Sequence, residues 1–174
     1  MSNVIAGVVR GQLPYLEEHI QRKKEIYFRY KEGFKNLPVT MNPYDEKNSE
    51  PNFWLSCLLI GKDAMCRQVR SENEAMYISE KGKSCPTEIL ETLAKYNAEG
   101  RPIWKPMHLQ PIYRMNPFIT KDGSGRARTN AYIEGEAIDI GEDIFARGLC
   151  LPSDIKMTKE EQDAVIELVK GCFV

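Results

Sequence analysis

Histidine is almost missing from this chain: its 174 residues hold two, His19 and His108. The five cysteines, at 57, 66, 85, 150 and 172, include no CxxC pair. A structural metal centre needs clustered Cys and His ligands, so that class is set aside. An odd, scattered set of cysteines reads as reduced or buried thiols, not a disulfide frame. Long apolar runs are lacking too. A membrane-spanning helix needs about 20 such residues, and the N-terminus has neither the basic region nor the apolar core of a signal peptide. A cytoplasmic protein with no membrane partner is expected. Charge of one sign is nowhere concentrated and the net charge is −1, which argues against a nucleic-acid partner. With 42% hydrophobic and 28% charged residues, the chain is globular rather than disordered. Its length suits one domain with a sizeable core.

What is present reads as alternating helices and short strands. Val9, Leu13, Leu16, Ile20, Tyr27, Tyr30 and Phe34 recur at helical spacing, which predicts a long N-terminal helix over 1–37. Ser2 or Asn3 can cap it. Pro14 should kink or split it near Gly11–Pro14. Residues 38–52 read as a loop, and "NFWLSCLLI" (52–60) as a buried strand. Residues 62–85 are ambiguous, with a helix and polar exit as one reading. Pro86 opens a helix capped by Thr87 or Ser84, with Ile89, Leu90, Leu93 and Tyr96 inward and Gly100 as a stop. A polar loop spans 119–130. A helix follows from about Tyr132 to Arg147, with Ile138, Ile140, Ile144 and Phe145 inward. Gly148 ends it, "LCLP" (149–152) is a short buried strand, and Thr158 with Glu161 forms a capping box for the last helix. Val165, Ile166 and Val169 face the core. The expected fold class is α/β (α+β), with a small mixed sheet packed by helices.

Two glycine motifs fail on inspection. Gly82-Lys83-Ser84 looks like the tail of a phosphate loop, but the glycine needed five residues earlier is Tyr77. Gly123-Ser124-Gly125 begins like a dinucleotide fingerprint, but position 128 is Arg and no strand feeds it. His19 lies among Glu17, Glu18 and Gln21, a surface helical setting.

The unusual stretch is "EGRPIWKPMHLQP" (99–111), with three prolines, Trp104, Met107 and His108. Pro102, Pro106 and Pro111 fix three φ angles, so less entropy is lost when the loop is ordered. Arg101, Lys105 and His108 supply positive charge and Trp104 a stacking face, a set that suits an anionic, ring-bearing ligand. The competing reading is a structural crossing that buries Trp104 and Met107.

"RPIWKPMHLQP" resembles a signature of the pyridoxal-phosphate-dependent sugar-nucleotide aminotransferases of the DegT/StrS type. "NVIAGVVRGQLPYLEEHIQRKKEIYFRYKEGF", "NFWLSCLLI" and "IFARGLCLPSDIKMTKEEQDAVIELV" resemble that family's long helix, first small-domain strand, and C-terminal strand and helix, in the same order. The resemblance implies the C-terminal part of a fold-type I pyridoxal-phosphate transferase: residues 1–37 as the helix that connects to a cofactor domain, 38–174 as the small domain. That cofactor domain would carry the Schiff-base lysine, for which no counterpart is found here. The chain alone should therefore not transaminate. The resemblance further implies that Lys105 and His108 touch substrate, that Trp104 and Met107 shape the pocket, and that Arg101 and Tyr113 are further substrate-binding candidates. The implied cofactor is pyridoxal phosphate, held in the full-length enzyme. The implied partners are a nucleotide-sugar substrate and a second copy in a homodimer. Pro14 and the long 114–130 segment depart from the family pattern. Two alternatives remain: a stand-alone sugar-nucleotide-binding or assembly module without catalysis, and an interaction domain in which the WKPMH loop is buried.

Overall fold

The computed structural model describes residues 2–70, 75–113, 116–119, 125–126 and 139–174. Most of the polar loop expected at 119–130, and the part up to Ile138 of the helix expected from about Tyr132 to Arg147, lie outside them.

Proline shapes the first feature. Helix α1 (Asn3–Gln12) begins with the Ser2 hydroxyl accepting the Ile5 N–H, gives way to a 3-10 turn at Leu13–Tyr15 that contains Pro14, and resumes as α2 (Leu16–Gly33). The split falls where Pro14 removes a backbone donor. Helix α2 stops at Gly33, short of Leu37. Only the later half of the predicted stripe is covered. Tyr27, Tyr30 and Phe34 are buried, whereas Val9, Leu13 and Leu16 are exposed, because the packed core of this chain reaches only from Ile26 onward.

Strand β1 (Val39–Met41) pairs with β2 (Cys57–Ile60). The strand expected over 52–60 is thus four residues long. Its first half is bent by an Asn52 side chain that accepts the Trp54 N–H, and by Phe53 at a left-handed φ of 51°. Phe53 holds that conformation inside an aromatic cluster, 5.1 Å from Tyr27 and 5.4 Å from Tyr44 between ring centroids.

Among its described residues, the ambiguous 62–85 segment forms a 3-10 turn at Lys62–Ala64 and no α-helix. It contains the hairpin β3 (Arg67–Arg70) and β4 (Ala75–Ile78), with Gln68 opposite Tyr77. Alternation wins there: Gln68 and Arg70 share one side, while Val69 and Tyr77 favour a pleated backbone. Helix α3 (Pro86–Lys95) follows, with Pro86 at its first position and Cys85, not Ser84 or Thr87, at its N-cap. The two hydroxyls are used elsewhere, Ser84 donating to Glu88 and Thr87 to Gln68. Ile89 and Leu93 are fully buried, but Tyr96 has turned outward as the helix-ending residue.

The chain then forms β5 (Arg101–Pro102), 3-10 turns at Met107–Leu109 and Pro111–Tyr113, and a short ladder of β6 (Phe118–Ile119) with β7 (Gly125–Arg126). Helix α4 (Ile140–Arg147) leads directly into β8 (Gly148–Cys150), and α5 (Lys159–Gly171) closes the fold. Ile140 and Ile144 are exposed, against expectation. Phe145 is half-buried as expected, and beside it the polar Arg147 is bound to the Ile60 carbonyl and paired with Asp143.

The expected small sheet with helices packed on it is present, in the order β1-β2-β8-β5. Its pairings are antiparallel throughout, not mixed. Antiparallel ladders are slightly more stable per residue, which suits strands of two to four residues. The core joins Tyr27, Tyr30 and Phe34 to Leu58, Ile60, Ile89, Leu93, Leu149, Val165, Ile166 and Val169. Tyr30 donates to the Pro152 carbonyl at 2.7 Å, and Gln162 to the Ile26 carbonyl at 2.7 Å. Helix α5 carries the predicted capping box of Thr158 and Glu161.

Leu93→Ala should cost about 2–5 kcal/mol, as for a fully enclosed leucine, and Thr158→Ala about 1 kcal/mol, as for an N-cap. Urea unfolding of both variants checks this; a Leu93→Ala loss no larger than that of Thr158→Ala would contradict the packing described.

Candidate functional site

The 99–111 loop starts as a β-bridge partner of β8 and leaves the sheet at Ile103. Residues Arg101, Trp104 and Lys105 come together on a cavity of about 530 Å³. Its opposite wall is Trp54 and Leu55, and its floor is Phe145 and the 150–153 segment. The rings of Trp104 and Trp54 lie 6.1 Å apart, tilted by 35°. Both are open to solvent, at 65% and 63% exposure. The crossing that buries Trp104 is therefore not what the loop does. Met107, at 63%, is exposed as well.

Charge separates this cavity from a larger one. A groove of about 1130 Å³ between α3 and α5 is edged, among the described residues, by five carboxylates, Glu88, Glu99, Asp154, Glu161 and Glu167, against one cation, Lys156. An anionic ligand is repelled there. Among the described residues, the Trp54–Trp104 cavity has Arg101 and Lys105 against Glu99, and its volume falls in the ordinary range of small-molecule sites. Arg101 is ion-paired with Glu99 at the exposed rim, so Lys105, half-buried, is its inner cation.

Helix α2 holds the floor in place. Arg22 donates to the carbonyls of Ile155 and Met157, and Lys23 to that of Ser153. Burial lowers the pKa of Lys23, partly offset by Asp154 nearby. Tyr30, which grips Pro152, has its phenol pushed well above the usual range by burial.

His108, Met107 and Tyr113 do not line the cavity. They lie further along, on the two 3-10 turns. His108 is 14% exposed and its Nε2 is bound to the Asp139 carboxylate, itself 9% exposed. The other oxygen of that carboxylate accepts the Glu142 N–H at 3.0 Å and caps α4. One side chain thus ties the loop histidine to a helix start. Tyr113 is half-buried.

Two contributors went unread in the sequence. Trp54 falls inside the expected buried strand, although Asn52 two residues earlier is a turn signal. Asp139 with Glu142 three residues on is an N-cap pattern that the sequence does carry.

Residues 1–170 match the model of the DegT/DnrJ/EryC1/StrS aminotransferase family. The chain belongs to that family. It is 31% identical over 173 residues to EpsN of Bacillus subtilis strain 168, inferred to be a pyridoxal phosphate-dependent aminotransferase, and covers 99% of this chain and 36% of EpsN. It is similar in fold to Spr1654 of Streptococcus pneumoniae, inferred to be a sugar aminotransferase, in its PMP form: TM-score 0.70, 22% identity, 99% of this chain and 35% of that one. Helicobacter pylori PseC, an aminotransferase involved in the biosynthesis of pseudoaminic acid, gives a TM-score of 0.63 at 18% identity, over 94% of this chain and 35% of that one. The chain therefore spans about a third of the length of the proteins it matches.

Breaking the link between loop and helix should be costly. His108→Ala and Asp139→Ala should each destabilise the chain by on the order of 2 kcal/mol, as when a mostly buried charged hydrogen bond loses one partner. The double variant should lose less than the sum, measured by a double-mutant cycle in urea. Additive losses would show that the two side chains do not interact.

Proposed function

We propose that this chain is the C-terminal small domain of a pyridoxal-phosphate-dependent aminotransferase that acts on a nucleotide-linked keto sugar, and that it supplies the substrate-binding loop. The observation that carries this reading is the Trp54–Trp104 cavity: two exposed indoles and an inner lysine, formed by the same loop whose sequence resembles the family signature. In this reading Lys105 neutralises a phosphate of the substrate, the paired indoles offer an exposed face to its base or sugar ring, and Arg101 adds charge at the rim. His108 is held by Asp139 in one orientation from which it meets a sugar oxygen, while Met107 and Tyr113 shape the approach. The enzyme works as a homodimer in the cytoplasm.

The residues described here do not fit the cofactor as a covalent guest. That role needs an amine with a lowered pKa inside a shaped pocket. Lys23 is lowered by burial, but its amine is committed to the Ser153 carbonyl and it does not line the cavity. Pyridoxal phosphate is therefore assigned to the remainder of a longer enzyme, where it serves as the electron sink for moving the amino group. The exposed apolar face of α1, with Val4, Ile5, Val8 and Val9, is the surface that remainder would cover.

Lys105→Ala in the full-length enzyme should raise KM for the nucleotide sugar roughly tenfold, the scale of one lost charge-assisted contact, with kcat little changed. An unchanged KM with a collapsed kcat would remove Lys105 from substrate binding. In hydrogen exchange, the α1 amides should exchange fast in this chain and be protected in the longer enzyme. Equal exchange in both would leave the apolar face without the covering assigned to it.

A further inference from the structure

The two central strands carry a pair of thiols that substrate binding does not use. Cys57 on β2 and Cys150 on β8 are directly opposite each other. The adjacent pair, Ser56 and Leu151, is joined by the Leu151 N–H to Ser56 carbonyl bond at 2.9 Å. Cys57 and Cys150 therefore occupy the next, non-hydrogen-bonded position, where facing side chains of an antiparallel ladder approach closest. Their sulfur atoms are 3.6 Å apart. Leu58, Ile60 and Leu149 point from the same strands into the core, so the alternation of a strand puts the two cysteines on the opposite face. That face looks to the Trp54–Trp104 cavity: Cys150 is 4% exposed yet lines it, and Cys57 is half-buried.

We propose that Cys57 and Cys150 form a dithiol site that reacts with hydrogen peroxide and closes to a cross-strand disulfide in the wall of this cavity. Closure from the observed separation to a bond of about 2.05 Å needs an approach of about 1.5 Å, within reach of side-chain rotation and slight strand adjustment. The chemistry is balanced by the peroxide alone. The Cys150 thiolate attacks one peroxide oxygen, the O–O bond breaks, and hydroxide leaves and is protonated to water, which puts a sulfenic acid on Cys150. The Cys57 sulfur then attacks that sulfur. The S–S bond forms, the S–O bond breaks, and the departing hydroxide takes the Cys57 proton as a second water. The thiol pair gives up two electrons and the peroxide gains them.

The hydrogen bond between the thiols favours this order. When Cys57 donates, the Cys150 thiolate is stabilised, holding Cys150 below the ordinary thiol range and Cys57 well above it. The other neighbouring pair is a built-in contrast. Cys66 and Cys85 are both buried and line none of the cavities described, and burial pushes Cys66 up to about 12. A small oxidant that enters the cavity reaches Cys150 and not them.

The test is peptide mapping of the folded 174-residue chain after brief exposure to hydrogen peroxide and alkylation of the remaining thiols. The expected product is one linked peptide pair, Cys57 to Cys150, lighter by two hydrogen masses and restored by dithiothreitol. Cys57→Ser should stop the reaction at a sulfenic acid on Cys150, trapped by a dimedone-type reagent. A Cys66–Cys85 link in its place, higher oxides of Cys150 with no link in the unsubstituted chain, or no oxidation at peroxide levels that oxidise free cysteine would each overturn the proposal. Because the decisive measurement is made on the unsubstituted chain, poor folding of the serine variant does not affect it.

Discussion

Gly148 has no room for a side chain, and most of the site depends on that. A Cβ there would stand 2.6 Å from the Ile144 carbonyl oxygen and 2.7 Å from Ile103 Cγ1. Its backbone is ordinary and extended, so the requirement is for space and not for unusual torsion angles. Because the contact is so close, α4 passes into β8 without an intervening loop, and β8 slots between β2 and β5. That placement sends Leu149 into the core and Cys150 to the other face, and it presses Ile103 against the strand. Trp104, the next residue, is thereby delivered opposite Trp54. A bulkier residue at 148 would move the strand, the loop and both walls of the cavity together.

Long polar side chains then fix the irregular segments that short strands leave behind. Backbone carbonyls outside a ladder need partners when they are not in water. Here they are met by Arg22, Lys23 and Tyr30 along 152–157, by Arg147 at Ile60, and by Gln68 and Arg70 at Ala146 and Phe145. The last two cap the final turn of α4 from the β3–β4 hairpin, and Arg70 also lies 4.8 Å over the Phe145 ring. Burial lowers the pKa of Arg70 without removing its charge. The hairpin is thus tied to α4, and through Phe145 to the cavity floor.

What could be read in the sequence follows from how local each signal is. The split at Pro14, the capping box at Thr158, the first-turn role of Pro86 and the buried faces of α3 and α5 rest on neighbours within a few residues, and they stand. Tyr96 and Ile144 failed because periodicity says which residues share a face, not how far along the helix a neighbour covers it. The 62–85 segment is ambiguous because a short amphipathic stretch satisfies both the helical and the alternating pattern, and what fixes it is an α4 carbonyl 75 residues away in sequence. In the loop, Trp104, Lys105 and Arg101 were legible as a cationic, aromatic set. Trp54 and Asp139 were not, because what makes them part of the site is a tertiary contact.

The first helix has a different status from the rest. Ten residues in an isolated α-helix are marginal in water, and none of the residues of α1 is buried. Its composition does not favour solvent: two glycines sit beside Val4, Ile5, Val8 and Val9, and the apolar stripe runs on through Leu13 and Leu16. Burial of such side chains contributes about 25 cal/mol per Å², so six large apolar residues along one face represent a sizeable driving force left unused within these 174 residues. The Ser2 cap and the Arg10 charge in the last turn help the helix by fractions of what packing would supply. A stripe of this kind is selected by something that lies on it. The α1 stripe is thus a surface without a partner among the described residues of a chain that spans about a third of its relatives' length.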